Sequence, residues 1–197
     1  KPVVIKQALE LFPYVLYIDA GAVVLQDLDD LFQHIARVGY FFMTCGPHTI
    51  ADTITAQTKT QLVSQFSPAQ QALILAPDSF KISAGLQGVS RQIYQTYVLP
   101  MYQLAHDLSY FADDGSSRYG FGTGRHDQPL FSMYVYLNGF KINSEGISQL
   151  YPTAERVRQI HIHWHPDCVS ERHTSIFQCR MSPGKYGNLH KFIKYRS

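Results

Sequence analysis

The feature that most constrains the fold is a run of five apolar residues that ends directly at a carboxylate. The run YVLYI at 14–18 holds β-branched and aromatic residues with no polar break, which is typical of a strand buried on both faces. A helix is predicted on each side, over 1–11 and from Asp27 as N-cap to Gly39. A second apolar strand follows at 40–44. The order helix, strand, helix, strand predicts parallel strands with helical crossovers and an α/β fold.

The composition excludes several classes of protein. Seventeen Lys and Arg against fifteen Asp and Glu give a net charge of +2 over 197 residues. This balance argues against nucleic-acid binding by counterion release. No apolar run approaches a membrane span in length. The three cysteines cannot form a disulfide framework, because only Cys168 and Cys179 could pair, which leaves Cys45. The length predicts a single domain over 1–197.

The later part of the chain gives weaker signals for its elements. Residues 46–66 are rich in Thr and Gln and predict a surface excursion, and the Gly-rich stretch 113–125 predicts a flexible loop that could act as a lid. The tail from Pro166 is predicted to be loop-rich. Helices are predicted over 68–75, over 90–106 with a kink at Pro100, and over 128–137, and strands over 80–83, 140–143 and 159–164.

Asp19 is the first candidate for chemistry. In a parallel sheet, ligands gather where the strands end, and Asp19 directly follows the predicted buried strand. A carboxylate there can coordinate a metal ion or accept a hydrogen bond from a ribose hydroxyl. Gly21 lets the backbone approach a ligand closely. The simpler alternative is that Asp19 only caps the following turn.

A histidine-rich strand is the second candidate. The sequence HIHWH at 161–165 would place His161, His163 and His165 on one strand face, because side chains alternate along a strand. Two or three imidazoles at this spacing can hold a divalent metal ion or contact a diphosphate. The alternative is an ordinary polar strand face with one hydrogen-bonded histidine in the core.

Three weaker candidates lie near glycines or at a helix start. Asp127 and Gln128 head a predicted helix, where backbone N–H groups and the helix dipole favour anions and hydroxyl-rich ligands. Asp127 could equally be a simple N-cap. Gly85 and Gly88 lie between a predicted strand and a predicted helix, where they leave space for a substrate. Lys185 lies in a predicted tight turn and suits a phosphate, although most such lysines are merely solvated.

The order of these short motifs resembles that of a known enzyme family. A helix opens with Lys-Pro at 1–2, a buried strand ends in Ile-Asp-Ala-Gly at 18–21, and Ser-Ala-Gly follows at 83–85. An Asp-Gln pair at 127–128 and a late His followed by Gly-Lys at 184–185 complete the series. The chain thus resembles retaining GT-A glycosyltransferases related to glycogenin and the bacterial lipopolysaccharide galactosyltransferases.

The resemblance implies a fold, a reaction and a set of roles. The fold would be a Rossmann-like mixed sheet flanked by helices, with this chain as its C-terminal two-thirds and nucleotide-binding strands before it. A sugar would pass from a nucleotide-diphosphate donor, such as a UDP-sugar, to a glycan, glycoprotein or glycolipid acceptor. Many relatives act in the Golgi lumen. The implied donor-binding residues are Asp19, Gly21, Gly85 and Lys185, the catalytic residues Asp127 and Gln128, and the ligands of Mn²⁺ or Mg²⁺ Asp19, His163 and His165.

One departure from the family pattern keeps other functions open. Gly21 stands where the family has the second Asp of its Asp-x-Asp metal motif, so a metal ion would lose its main carboxylate ligand. Histidines could hold the ion instead, or Lys185, Arg125 and a protonated histidine could replace it. A metal-dependent hydrolase or lyase built on His161, His163 and His165 is one alternative, and a non-catalytic binding or assembly module is another.

Overall fold

The computed structural model describes residues 1–19, 22–24, 28–43, 50–112, 127–142, 148–150, 157–164 and 173–180. Helices and strands both occur along these residues, which confirms an α/β protein in general. The helices are α1 (Pro2–Leu11), α2 (Asp29–Val38), α3 (Ile54–Gln57), α4 (Thr60–Val63), α5 (Pro68–Ile74), α6 (Leu99–Leu104) and α7 (Gln128–Leu137). The strands are β1 (Tyr14–Ile18), β2 (Ala22–Val24), β3 (Tyr40–Phe41), β4 (Leu86–Ser90), β5 (Ser148–Leu150), β6 (Val157–Trp164) and β7 (His173–Arg180).

The predicted first helix and first strand are both present. Pro2 lies in the first turn of α1, where its missing N–H costs no hydrogen bond. Ile5 and Leu9 of the same helix pack into the core. β1 is mostly half-buried, so the prediction of a strand buried on both faces is wrong. The reason is that β1 pairs with β4 alone among the described strands.

β4 lies between β1 and β3 and pairs antiparallel with both. Leu16 of β1 and Phe41 of β3 lie opposite the same residue, Gly88. β1 and β3 therefore run in the same direction with α2 between them in sequence, as predicted. They do not pair with each other, and both pairings with β4 are antiparallel, so the prediction of a parallel sheet is wrong for these strands. The sequence reading missed β4 because its sequence, LQGVS, has no strand-like alternation. It assigned a strand to 80–83 instead, where Phe80 forms only an isolated bridge.

Two residues of β4 show why this sequence fits a central strand. Gln87 is fully buried, and its amide is satisfied: Oε1 accepts from the Tyr97 hydroxyl at 2.8 Å and Nε2 donates to Ala84 O at 3.3 Å. A Cβ atom on Gly88 would lie 2.4 Å from Ile35 Cδ1. The glycine therefore lets α2 pack directly against the strand.

The N-cap of α2 lies one residue later than the sequence predicts. Its N-cap is Leu28, so the prediction of Asp27 as the cap is wrong, and Asp27 itself lies outside the described residues. Asp29 and Asp30 lie in the first turn, where their negative charges interact favourably with the positive end of the helix dipole. The helix ends at Gly39 as predicted, in the left-handed conformation with φ of 96°.

The segment 50–66 contributes to the core, so its prediction as a surface excursion is wrong. Ile54 and Leu62 are buried on α3 and α4, and Phe66 follows them. The Thr53 hydroxyl accepts a hydrogen bond from Ala56 N at 3.3 Å and caps α3. The polar Thr and Gln residues of the segment hid these short apolar pieces from a reading based on composition.

A buried ion pair ties this segment to the residues before β4. Lys81 Nζ lies 3.1 Å from Asp52 Oδ1, and the two side chains are only 6% and 13% exposed. The backbone N–H of Lys81 also donates to Asp52 O at 2.8 Å. The two residues are therefore joined by both side chain and backbone.

The helical segment after β4 is built in three pieces rather than as one kinked helix. The Ser90 side chain accepts a backbone hydrogen bond at the predicted N-cap, and a short 3₁₀ turn follows. A π-helical turn at Tyr94–Val98 then precedes α6. Pro100 has no N–H to donate to Thr96 O, four residues earlier. Asn138 Nδ2 donates to that oxygen at 3.0 Å instead, which satisfies it.

Two further helix predictions are confirmed. α5 has a capping box in which Ser67 Oγ accepts from Gln70 N at 3.4 Å and Gln70 Oε1 accepts from Ser67 N at 2.9 Å. α7 is largely buried, through Pro129, Leu130, Phe131, Ser132, Met133 and Val135.

In the parts of the chain that the structure describes, no helix has the length and apolarity to cross a membrane.

A second sheet, in the order β2-β7-β6-β5, pairs antiparallel throughout. β6 confirms the strand predicted at 159–164. β7 lies in the tail that was predicted to be loop-rich, so that prediction is wrong at 173–180. The strand predicted at 140–143 is also wrong, because residues 140–142 have no regular structure. The Phe140 ring instead packs on Tyr40, with 4.5 Å between the ring centroids.

Candidate functional site

The candidate site is centred on an ammonium group between two carboxylates. Lys1 Nζ lies 3.3 Å from Asp19 Oδ1 and 3.5 Å from Asp127 Oδ1. All three side chains are partly exposed, at 25% for Lys1, 50% for Asp19 and 23% for Asp127. The group is therefore open to solvent and to a ligand. Sequence reasoning proposed the two carboxylates from positions more than a hundred residues apart.

β1 and the start of β4 hold Asp19 in place. The Asp19 backbone N–H donates to Gly85 O at 2.9 Å, which extends the β1–β4 ladder by one pair. The Tyr17 hydroxyl, two residues earlier in the strand, donates to Asp19 Oδ1 at 3.1 Å. Asp19 thus has a fixed backbone and two partners for one carboxylate oxygen. Its side chain does more than cap a turn.

Gly85 lies directly against this carboxylate. A Cβ atom at Gly85 would be 2.4 Å from Asp19 Oδ2 and 3.0 Å from Asp19 Cγ, far inside van der Waals contact. Any larger residue at this position would move the carboxylate from its place. The structure therefore brings Gly85 and Asp19 together, and it gives a steric reason for glycine here.

Asp127 is the N-cap residue of α7 but does not behave as a cap. Its side chain accepts no capping hydrogen bond; its carboxylate is turned toward Lys1. The simple capping alternative therefore does not describe this residue. An anion at a helix N-terminus is also stabilised by the helix dipole.

Gln128 lies next to Asp127, and its amide is committed to the backbone. Gln128 Nε2 donates to Ile82 O at 2.7 Å. Ser132, one turn later, accepts from Ile82 N at 2.9 Å and donates to Gln128 O at 2.7 Å. The first turn of α7 therefore holds the segment that leads to Gly85. In this structure Gln128 acts by holding the backbone at Ile82, three residues before Gly85.

Two tyrosines near the carboxylates are held in the protonated form. Burial raises the pKa of Tyr17, and the negative charge of Asp19 raises it further. Burial also raises the pKa of Tyr97 well above its usual value, and the charge of Asp127 adds to the effect. Both hydroxyls are therefore hydrogen-bond donors at neutral pH, which agrees with their bonds to Asp19 and Gln87.

Several predicted site residues fall where the structure describes little or nothing. Gly21, His165 and Lys185, together with the predicted lid at 113–125, lie outside the described residues. The backbones of His161 and His163 belong to β6, where they pair with Ile176 and Thr174 of β7. Their roles stay predictions.

No protein-family model matches, and no curated protein or solved structure matches. The assignment of a function to this chain therefore depends on the residues of the site themselves.

Sequence reasoning overlooked Lys1 and Tyr17 as site residues. A signal for Lys1 exists, because a lysine at a helix N-terminus faces the positive end of the helix dipole and needs compensation. Asp19 and Asp127 supply it. Tyr17 is two residues from Asp19 in an extended strand, and residues at that spacing share a face. The periodicity that identified the strand could therefore have identified this pair.

The described part of the site does not fit a divalent metal ion as it stands. Asp19 Oδ1 already faces the Lys1 ammonium and the Tyr17 hydroxyl, and Asp127 Oδ1 faces the same ammonium. A metal ion needs lone pairs that are free of such donors, and a second cation beside Lys1 would be repelled. Within the described residues, no three His, Cys, Asp or Glu side chains are grouped to hold a metal ion.

Proposed function

We propose that this chain is a glycosyltransferase that moves a sugar from a nucleoside-diphosphate donor to a hydroxyl group of an acceptor. One observation carries the proposal: Asp19, Gly85 and Asp127, which the resemblance assigns to one substrate site, lie around a single lysine. We propose a GT-A fold for the domain. Both pairings of β4 are antiparallel, so the proposed GT-A fold rests on the order of the sequence motifs and on the grouping of Asp19, Gly85 and Asp127.

The proposed role of Asp19 is to bind the donor. Its carboxylate is half exposed at the end of β1, so it can accept a hydrogen bond from a ribose hydroxyl. Tyr17 and Lys1 fix its orientation before the donor arrives, which lowers the cost of ordering the group on binding. Gly85 leaves the room that the carboxylate needs.

The proposed role of Asp127 is to act at the acceptor side. In the reaction, the bond from sugar C1 to the diphosphate oxygen breaks and a bond from C1 to the acceptor oxygen forms. The acceptor proton leaves with a base, and the diphosphate departs with the electron pair of the broken bond. Asp127 is partly exposed beside Lys1, where its carboxylate can orient the acceptor hydroxyl or take its proton.

The charge balance of the site indicates what else the reaction needs. Lys1 contributes one positive charge against the two negative charges of Asp19 and Asp127. A departing diphosphate adds more negative charge, which a cation must stabilise. In this proposal Lys185 and Arg125 supply that charge.

A thermal-shift titration tests the proposal. The full-length protein is heated with UDP, GDP and their sugars, each at about 100 times the expected Kd, and the melting temperature is measured. One nucleotide is expected to raise it by about 5 °C or more, because a ligand that binds only the folded state stabilises it. ATP at the same concentration is the control for non-specific binding of polyphosphates.

The alternatives give different results in the same titration. A metal-dependent hydrolase or lyase on the β6 histidines predicts a shift with the metal ion alone and none with nucleotides. A binding module predicts a shift with a nucleotide sugar that is never turned over, which product analysis detects. No shift with any nucleotide would contradict the proposed function.

A substitution at Gly85 tests the geometry of the site. Gly85→Ala is expected to weaken binding of the nucleotide that gave the shift by about tenfold or more, because Cβ displaces the Asp19 carboxylate. Stability should change by less than about 1 kcal/mol, because that carboxylate can turn into solvent. The matched contrast is Gly88→Ala, where Cβ meets Ile35 and Phe41 in the core. That variant should lose about 1–3 kcal/mol. Equal nucleotide affinity in wild type and Gly85→Ala would contradict the placement.

A further inference from the structure

We infer that Lys1 is the resident cation of the candidate site, and that its ammonium takes the place of a divalent metal ion between Asp19 and Asp127. The inference deepens the proposed function and rests on it for one consequence: the donor binds without a divalent ion. The position of the Lys1 ammonium between the two carboxylates does not depend on the proposed function.

The Lys1 ammonium lies between the two carboxylates. The ammonium lies at 3.3 and 3.5 Å from one oxygen of each carboxylate, so it attracts both groups from a position between them. It also lies 5.9 Å from the centre of the Tyr17 ring, within the range of a cation–π contact. A carboxylate on each of two sides and a ring on a third side mark a place built for positive charge.

A divalent ion would compete with the Lys1 ammonium for the same carboxylate oxygens. A divalent ion at Asp19 would have to displace the Lys1 ammonium and lie a few ångströms from it. Repulsion between cations at such a distance is strong even near a protein surface. The sequence also has Gly21, which offers no side-chain ligand, two residues after Asp19. The free protein should therefore bind divalent ions weakly at this site.

Lys1 lies at the start of α1, where its side chain does not act as a helix cap. It is the N-cap of α1, but the side chain makes no capping hydrogen bond, and only its backbone oxygen serves the helix, by accepting from Ile5 N at 3.1 Å. A lysine at this end of a helix is opposed by the dipole. The two carboxylates offset that cost, so the ammonium and the carboxylates belong together.

The test is Mn²⁺ binding, measured from the EPR signal of the free ion in the absence of any nucleotide. Wild type, Lys1→Gln, Lys1→Arg and the double variant Lys1→Gln/Asp19→Asn are compared in the 197-residue chain. Lys1→Gln is expected to bind Mn²⁺ about tenfold or more tightly than wild type, because the competing charge is gone. Lys1→Arg should bind as weakly as wild type, and the double variant should lose the gain.

Several results would overturn the inference. Wild type and Lys1→Gln could bind Mn²⁺ equally, whether tightly or not at all, or the gain could survive Asp19→Asn, which would place the ion elsewhere. A thermal unfolding curve of each variant shows that the chain is folded, and Lys1→Arg separates loss of charge from loss of packing.

The proposed function fails separately from this inference. If no nucleotide binds but Lys1→Gln gains Mn²⁺ affinity, the glycosyltransferase proposal falls and the assignment of Lys1 stands. If a nucleotide binds to wild type only when Mn²⁺ is present, the assignment of Lys1 falls and the donor site stands. To distinguish these two results, the protein is titrated with the nucleotide first in the presence of EDTA and then in the presence of Mn²⁺.

Discussion

Asp19→Asn is expected to reduce sugar transfer by about 100-fold or more and to leave the fold intact. The amide keeps the shape of the carboxylate but loses its charge, so the hydrogen bond to the donor and the ion pair with Lys1 both weaken. The side chain is half exposed, so its replacement removes little packing. The measurement is the rate of transfer with the donor and acceptor that wild type uses, alongside a thermal unfolding curve.

The matched control for this variant is Glu10→Gln, which makes the same chemical change at an exposed carboxylate of α1. Glu10 pairs with Lys6 on the helix surface, away from the ammonium of Lys1 by two turns of the helix. It should transfer sugar at the wild-type rate. Wild-type transfer by Asp19→Asn would remove Asp19 from the mechanism.

Lys81→Met is expected to cost about 3–5 kcal/mol of unfolding free energy, the largest stability effect of any single change considered for this chain. Removal of the ammonium leaves the Asp52 carboxylate charged in a largely buried place. The straight apolar side chain of Met occupies most of the same volume, so the effect reports charge rather than a cavity. Urea unfolding, followed by circular dichroism, measures the loss.

A double variant separates the charge from the packing at this position. Lys81→Met combined with Asp52→Leu should recover more than half of the lost stability, because the double variant carries neither of the two buried charges. Lys6→Met is the matched control, since Lys6 pairs with Glu10 at the surface. Its unfolding midpoint should stay close to that of wild type. If Lys81→Met lost no more stability than Lys6→Met, the buried ion pair would not be what holds the 50–66 segment.

The sequence predicted best those elements whose local pattern agrees with their environment. α1, β1, α5 and α7 each carry a clear apolar period, a Pro in the first turn or a capping box, and each is present. β4 was missed because its sequence, with Gln87 and Gly88, is decided by its neighbours: Tyr97 satisfies the amide and Ile35 fills the space above the glycine. Tertiary contacts of this kind leave no local period to detect.

The same contrast holds for the candidate site. Asp19 was predictable because a carboxylate at the end of an apolar strand has a position with a physical meaning. That Asp19 and Asp127 share one ammonium was not predictable, because it depends on the crossing of α1, β1 and α7 in space. From the sequence, Lys1 was only the residue before a proline. The structure shows that its ammonium lies within 3.5 Å of both carboxylates, and this contact identifies it as part of the site.

The central place of β4 in its sheet affects how the chain is made. β1 and β3 are complete by Phe41, yet the strand that pairs with both begins at Leu86. A nascent chain that leaves the ribosome therefore carries two apolar segments for some forty-five residues of further synthesis before their shared partner emerges. Such delayed, long-range pairing slows folding. Until Leu86 emerges, YVLYI lacks the strand with which it pairs, and such an exposed apolar segment is a binding site for a chaperone on the ribosome.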